Sequence, residues 1–170
     1  PFQMAQLWVN LPRVHKLANP RYQPITSAQM GLVTLPRGAG TVRVVAGEFE
    51  GVRGPAMTFT PINIYDARLV AQGQVEFSFP ARQTAALLVM KGNLAINGAT
   101  EARENDFVLF KNTGERITIE ASSDAHLLVL NGEPIAEPIV QYGPFVMNTQ
   151  QEIQEAFADF SRGKFGFLED

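Results

Sequence analysis

The chain has 170 residues, a net charge of −3 at pH 7 and no cysteine. With 45% hydrophobic and 18% charged residues, it is typical of a globular protein with a substantial core, and the missing cysteines exclude disulfides and thiolate catalysis. Its basic residues form no run and no apolar stretch could span a bilayer, so we expect neither nucleic-acid nor membrane binding and predict a cytoplasmic protein.

The first twelve residues contain an apolar segment with high strand propensity. Leu7-Trp8-Val9 carries the single tryptophan of the chain, and Pro12 ends the pattern. A terminal strand of this kind needs a partner strand. Residues 13–40 follow as a connector that Pro20, Pro24 and Pro36 make stiff and irregular.

Short strands are predicted from residue 41 to residue 131, separated by Gly, Asn and Pro. Their predicted bounds are 41–45, 57–64, 67–70, 75–79, 85–90, 93–96, 106–110, 116–120 and 126–130. Asn97-Gly98 is the pair that a two-residue hairpin turn favours. This pattern predicts a mainly-β barrel or sandwich.

The C-terminal part changes to a helical period. Thr149 and Glu152 form a capping box, and Ile153, Ala156, Phe157 and Phe160 recur on one helix face. Gly163 is placed to end the helix. We expect the helix to pack on the barrel or on the connector.

The candidates for chemistry are few. His15 and His126 are far apart in the sequence, and a transition-metal site usually needs three or more imidazole, thiolate or carboxylate ligands close together. We interpret His15 as an exposed polar residue and His126 as a satisfied edge or core residue. Five carboxylates in turns and at strand ends have no ligand spacing and are interpreted as solvated charge: Glu101, Glu104, Asp106, Glu115 and Glu120.

Catalytic and ligand-binding motifs are equally weak. A Ser-His-Asp triad could be composed of Ser122, His126 and Asp124. However, all three lie within one short loop, and no nucleophile elbow surrounds them. Gly38-Ala39-Gly40 precedes a strand rather than a helix, so it is interpreted as a turn and not as a phosphate loop. Phe77, Phe79, Leu88 and Met90 could line a ligand-holding barrel, although a packed core is favoured.

Several strings in the chain resemble the pirin family, from about Gln6 to Phe167. They are Gln6-Leu7-Trp8-Val9-Asn10-Leu11, Asn19-Pro20-Arg21-Tyr22-Gln23, the stretch 131–140 that reads NGEPIAEPIV, the stretch 142–149 that reads YGPFVMNT, and Gly166-Phe167 after the helix. The stretch 142–149 is long and no helix or strand periodicity explains it. The resemblance is therefore specific.

Pirin-like proteins are bicupins, so the resemblance implies half of a bicupin: a cupin-like (jelly-roll) β-barrel or sandwich with a C-terminal helix. It implies that residues 1–12 are the closing strand of a preceding cupin domain, 13–40 the inter-domain crossover and 41–170 the C-terminal cupin-like domain. The strand at residues 7–9 would pair with that preceding domain or with another copy of this chain. A further protein partner is also open.

The family's metal site, three histidines and a glutamate, belongs to the preceding barrel. A divalent metal such as iron is therefore expected there, while no catalytic, metal or cofactor-binding residue is assigned in this chain. In the second barrel, the general cupin pattern would place its ligands near Phe79, Ala81 and Ala85, and its last histidine at Glu115 or Arg116. We therefore expect this barrel to be metal-free.

Two functions stay open for the protein to which the chain belongs. It could be a quercetin 2,3-dioxygenase-type enzyme in which this chain is the non-catalytic half. Alternatively, it could be a transcription-cofactor-like regulatory or interaction module without catalysis. For this chain alone, the resemblance predicts a supporting domain that is not itself an enzyme.

Overall fold

The structure, a computed structural model, describes residues 4–165. Residues 1–3 and 166–170, and with them Gly166 and Phe167 of the family resemblance, lie outside the described residues. Of the described residues, 41% are in strands and 11% in α- or 3-10 helices, so the predicted mainly-β class is confirmed. The described residues divide into two compact units, residues 21–134 and residues 4–20 together with 135–165.

The described residues form fourteen strands and one α-helix. In chain order they are β1 (Gly31–Thr34), β2 (Gly40–Ala46), β3 (Glu48–Phe49), β4 (Val52–Arg53), β5 (Ile62–Leu69), β6 (Gln74–Ser78), β7 (Thr84–Lys91), β8 (Asn93–Ile96), β9 (Thr100–Arg103), β10 (Phe107–Leu109), β11 (Arg116–Ala121), β12 (Ala125–Gly132), β13 (Val140–Tyr142), β14 (Phe145–Met147) and α1 (Gln150–Ser161). Short 3-10 turns also lie at Arg13–His15 and Pro36–Gly38.

The unit of residues 21–134 is an antiparallel β-sandwich. Its larger sheet has six strands in the order β1-β2-β5-β12-β7-β10, and its smaller sheet has four in the order β6-β11-β8-β9. Buried side chains from both sheets form one continuous core. The two sheets therefore face each other across a shared interior, as the sequence predicted.

Alternation along the strands places the core. Val75 and Phe77 on β6 pair with Ile119 and Ile117 on β11, and all four are buried. The residues between them point to solvent, as Glu76 does. A period of two thus gives the smaller sheet one apolar and one polar face.

Three predictions about strands need correction. The strands predicted at 57–64 and 67–70 are one strand, β5, since a single run of alternating burial covers it. Residues 31–34, which were placed in the connector, form β1 and pair with β2. Leu88 and Met90 lie on the opposite face from the buried Leu87 and Val89. The sequence did not show this alternation because β7 is apolar on both faces.

Two predicted turns are confirmed. Asn97 and Gly98 have φ angles of 52° and 65°, as a type I′ hairpin turn requires between β8 and β9. Gly40 has a φ of 139° and lies so close to the Arg68 carbonyl that a Cβ would clash with it. The stretch 38–40 therefore joins a 3-10 turn to a strand and does not open a helix.

The second unit contains α1 and the β13–β14 hairpin. Thr149 is the N-cap of α1, and the capping box with Glu152 is present as predicted. Ile153 and Ala156 are buried, whereas Phe160 is 63% exposed. With 12 residues, α1 is too short to cross a bilayer, and among the described residues no helix could do so.

Candidate functional site

Four aromatic rings fill the interior of the sandwich. They are Phe49, Tyr65, Phe77 and Phe79, and the centroids of neighbouring rings lie 5.2 to 6.4 Å apart. All four are at most 8% exposed. The centre of this cluster is therefore packed hydrocarbon, with favourable offset ring contacts.

The Tyr65 hydroxyl is the one polar group of these four rings. It donates a hydrogen bond of 2.6 Å to the backbone carbonyl of Glu48. Burial raises the pKa of Tyr65 to about 12, and the negative charge of Glu48 acts in the same direction. Tyr65 thus stays a neutral donor that anchors β5 to β3.

Of the positions that the cupin pattern assigns to metal ligands, all but Ala81 border one cavity in the sandwich unit. Phe79, Ala85, Glu115 and Arg116 line a small cavity of about 70 Å³. Phe79 and Ala85 are buried carbon side chains, and Arg116 is a cation. Glu115 alone could ligate a metal, whereas a metal site of this kind needs at least three such groups. The residues at these positions do not fit a cupin metal centre.

The remaining carboxylates do not assemble into a site either. Asp106 accepts a hydrogen bond from the backbone N–H of Arg103 at 2.8 Å, and Glu120 accepts one from the Gln74 side chain at 3.1 Å. Glu101 lies 3.6 Å from the Arg103 guanidinium, and both side chains are exposed. Within residues 4–165, no three His, Cys, Asp or Glu side chains cluster as a metal site would require.

The loop before β12 does not form a triad. The Asp124 carboxylate accepts the backbone N–H of Ala71 at 2.9 Å, and the His126 ring bonds instead to Asp66. His126 is thus a satisfied histidine, as interpreted from the sequence. His15, interpreted as exposed, is half-buried in the 3-10 turn of the other unit.

Asp66 and His126 form a hydrogen-bonded pair on the outer face of the six-stranded sheet. The His126 Nε2 and Asp66 Oδ1 atoms are 2.7 Å apart, and Arg43 and Arg68 lie 3.6 and 3.9 Å from the same carboxylate. Burial by itself would raise the pKa of Asp66, but the hydrogen bond and charge of His126, with the two arginines, lower it on balance. Asp66 is therefore an ionised anchor for three cationic or polar side chains.

Asp66 was not predicted from the sequence as the partner of His126. His126 is separated from it by 60 residues, so the pair depends on the pairing of β12 with β5. The single available signal was local: Asp66 and Arg68 alternate with buried residues and share one face of a strand.

In the second unit, Glu152 joins the helix to the residues before it. Its carboxylate accepts hydrogen bonds from the backbone N–H groups of Asn148 and Thr149, each at 2.9 Å, and pairs with Arg13 at 2.6 Å. Burial alone would raise the pKa of Glu152, and these bonds lower it on balance. Lys16 adds a hydrogen bond of 3.0 Å to the Val146 carbonyl. The helix thus packs on the start of the predicted connector.

Residues 4–12, before Arg13, form no regular secondary structure, and residues 6–9 are exposed. Trp8 is 75% exposed and Val9 52%. Residues 7–9 are not a strand in this structure, and residues 4–9 form no backbone–backbone hydrogen bond with another described residue. Trp8 and Val9 border a groove of about 760 Å³ whose other walls include Phe145, Met147 and Phe165. The predicted pairing of residues 7–9 with another domain stays a prediction.

Fold and interior together define a class of protein. A two-sheet antiparallel sandwich of short strands, with a packed aromatic interior and one C-terminal helix, is a cupin-type domain. Residues 64–166 match the family model described as the pirin C-terminal cupin domain. The chain belongs to the pirin family.

Relatives and a solved structure agree with this assignment. The chain is 42% identical over 163 residues to a Pseudomonas aeruginosa protein named "Putative quercetin 2,3-dioxygenase", covering 96% of this chain and 57% of that protein. It is 32% identical to the human protein named pirin, covering 98% of this chain and 58% of that one. A crystal structure named quercetin 2,3-dioxygenase, from Acinetobacter baumannii, superimposes with a TM-score of 0.90 at 36% identity, over 95% of this chain and 56% of that chain.

These matches confirm the predicted family and the cupin fold. They also show that the chain spans somewhat more than half the length of the relatives it matches. The activity of the whole protein is therefore a matter for proposal.

Proposed function

We propose that this chain is the metal-free, C-terminal cupin-like half of a pirin-like protein and supports a preceding cupin domain. That preceding domain would hold a divalent metal such as iron and carry quercetin 2,3-dioxygenase-type activity. The observation that supports this most is the interior at the cupin ligand positions, where Phe79 and Ala85 stand in place of metal ligands. Relatives named for that activity support the reaction class.

The chain's own residues would contribute rigidity rather than chemistry. Phe77 and Tyr65 tie the two sheets into one core, and Glu152 with Arg13 fixes the residues that follow the exposed segment. Residues 7–9 would then enter the sheet of the preceding domain. An apolar segment whose backbone forms no hydrogen bond with the backbone of another described residue is suited to strand addition.

The test is flavonol turnover. The 170-residue chain and a longer form that includes the preceding region would each be loaded with iron, copper, nickel or cobalt, and loss of quercetin absorbance would be followed under oxygen. We expect turnover by the longer form with at least one metal and none by this chain. Turnover by the 170-residue chain would refute the assignment of a supporting role.

The second candidate is an interaction module without catalysis. The exposed Trp8 and the groove beside it favour this alternative, since exposed aromatic side chains are frequent anchors of protein contacts. If the longer form fails to consume quercetin with all four metals, the regulatory function is favoured.

Trp8 provides a direct probe of its partner. Because the chain contains one tryptophan, its fluorescence reports on this segment alone. Adding the separately produced preceding domain should shift the emission of Trp8 to shorter wavelength, as its ring leaves water. An unchanged spectrum at saturating concentrations would argue against pairing through residues 7–9.

A further inference from the structure

The small cavity at the cupin ligand positions is framed by two loops of the sandwich unit. One loop joins β6 to β7, and the other joins β10 to β11. Two backbone hydrogen bonds connect the strand ends beside these loops. They run from the Phe79 N–H to the Glu115 carbonyl at 2.8 Å and from the Phe110 N–H to the Ala85 carbonyl at 3.0 Å. The cavity is therefore part of the hydrogen-bonded framework of the sandwich.

Gln83 lines this cavity and carries an unsatisfied acceptor. Its Oε1 atom is buried, and no described residue donates a hydrogen bond to it. The backbone N–H of Gln83 bonds to the Pro80 carbonyl at 3.3 Å and closes the turn that holds this side chain. Leaving a buried acceptor without a donor is costly, and native structures pair nearly all such atoms. We therefore expect a donor at Gln83 Oε1 that the described residues do not supply.

The volume of the cavity limits the occupant to a small molecule. The cavity measures about 70 Å³, and the share of liquid volume that belongs to one water molecule is about 30 Å³. Pockets for drug-sized ligands measure about 300–1,000 Å³. The cavity therefore suits one or two water molecules, or an organic compound of a few non-hydrogen atoms, and is too small for a flavonol.

The chemistry of the walls favours a neutral hydroxyl group. The positive charges of Lys111 and Arg116 oppose a cation, and the negative charge of Glu115 opposes an anion, so the charged lining residues favour neither. Phe79 contributes to an apolar part of the wall. An O–H group donates one hydrogen bond, as Gln83 Oε1 requires, and a short carbon chain beside it would contact the apolar wall.

We propose that this cavity binds a small neutral hydroxyl compound, water or a short-chain alcohol, whose O–H group donates a hydrogen bond to Gln83 Oε1. The occupant is held by a carboxamide in place of the imidazole and carboxylate groups of a cupin metal centre. The site depends neither on residues 7–9 nor on a preceding domain, so it goes beyond the supporting role proposed above.

The first test is a high-resolution crystal structure of the 170-residue chain, grown without alcohol. We expect an ordered water oxygen about 2.7–2.8 Å from Gln83 Oε1. The variant Gln83→Leu keeps a side chain of similar size and removes the acceptor, so this water should be absent from it. A structure with no ordered molecule within hydrogen-bond distance of Gln83 Oε1, or with the Gln83 amide in bulk solvent, overturns the proposal.

The second test separates alcohol from water in solution. NMR signals of residues 79–85 and 110–117 would be followed while ethanol is added. Saturable shifts that Gln83→Leu weakens roughly tenfold identify an alcohol site, a loss that corresponds to one hydrogen bond. An ordered water in the crystal without saturable shifts identifies water as the occupant. Saturable shifts that are equal in the unmodified chain and in Gln83→Leu show that Gln83 does not hold the alcohol, and they overturn the proposal.

Two further variants serve as controls. Gln72→Leu makes the same change at an exposed position outside the cavity, and it should keep the occupant as the unmodified chain does. Ala85→Val adds volume to the cavity wall and leaves Gln83 in place, so it should displace the water or weaken ethanol binding several-fold. Circular dichroism checks that each variant is folded. An occupant that Ala85→Val does not disturb, or that Gln72→Leu removes as Gln83→Leu does, contradicts the assignment to this cavity.

Discussion

The two outer faces of the sandwich obey one backbone rule and differ in composition. On the four-stranded sheet the outward residues are mostly polar or charged: Gln74, Glu76, Ser78, Ala95, Arg116, Thr118 and Glu120. On the six-stranded sheet, the equivalent outward positions of β12, β7 and β10 form an apolar face of Leu88, Phe107, Leu109, Leu128 and Leu130. Strand alternation therefore determines which side chains share a face, and the composition of that face indicates whether it contacts water or apolar groups.

Inward residues are therefore expected to determine the stability of the sandwich, and outward residues its contacts with partners. Inward residues of both sheets belong to one core, so their loss should unfold the whole sandwich. Outward residues contribute little to that core, and an apolar outward row is explained by a partner more readily than by the fold. Substitutions at matched inward and outward positions can test this separation.

The largest effect is expected for Phe77→Ala. Phe77 is fully buried and contacts Phe49, Tyr65 and Phe79, so its truncation should lower the free energy of unfolding by about 3–5 kcal/mol. Urea denaturation followed by circular dichroism measures it. The control is the same change at an outward position, Phe107→Ala, which should cost less than about 0.5 kcal/mol in the monomer. Equal losses would show that the outer face is part of the core.

Tyr65→Phe should have the next largest effect. It removes the bond to the Glu48 carbonyl and should cost about 1–2 kcal/mol. Since the pKa of Tyr65 is raised from 10.0 to about 12, its contribution is complete below pH 10 and is lost as the pH rises through 12. Tyrosinate absorbance should lose its step near pH 12 in Tyr65→Phe, whereas Tyr142→Phe should keep it.

Asp66→Asn should lower the free energy of unfolding by about 1 kcal/mol, a value reduced by solvent screening. The pKa of Asp66 is lowered in the folded state, so its contribution is present above the ordinary carboxyl pKa of 3.8 and disappears as the pH falls through the lowered value. Denaturation of both proteins at neutral and strongly acidic pH should show the difference shrinking in acid. As a control, Glu76→Gln on the outer face of the four-stranded sheet should change the free energy of unfolding by less than about 0.5 kcal/mol at neutral pH.

The smallest effect on stability is expected for single lysines on the two faces. Leu109→Lys and Thr118→Lys should each change the free energy of unfolding by less than about 0.5 kcal/mol under dilute, monomeric conditions. Binding of a hydrophobic dye should fall in Leu109→Lys alone. A loss above about 1 kcal/mol in Leu109→Lys would mean that this residue packs within its own fold.

The elements that local patterns define were predicted well. β6, β11 and α1 carry clear periods of two or 3.6 residues, and the capping box marks the start of α1. β3 and β4 were missed because each has two residues, and β9 because Thr-Glu-Ala-Arg has little strand character. Strands of that kind are specified by their neighbours rather than by their own sequence.

The candidate site was predictable in part. The family pattern identified Phe79, Ala85 and Glu115, which the fold brings to one cavity. Phe49 and Tyr65 were not singled out, since nothing local shows that strands so far apart in sequence share an interior. Leu88 and Met90 were assigned to the wrong face for a similar reason. In a continuous apolar run, the sequence does not show which residues point inward and which point outward.

The metal content of the purified 170-residue chain tests the metal-free assignment directly. The chain would be incubated with iron, nickel or zinc ions, dialysed, and analysed by mass spectrometry of the bound metal. Because aromatic and aliphatic side chains occupy the cupin ligand positions, we expect far less than one ion per chain for every metal. One tightly held ion per chain, released by a chelator, would contradict it.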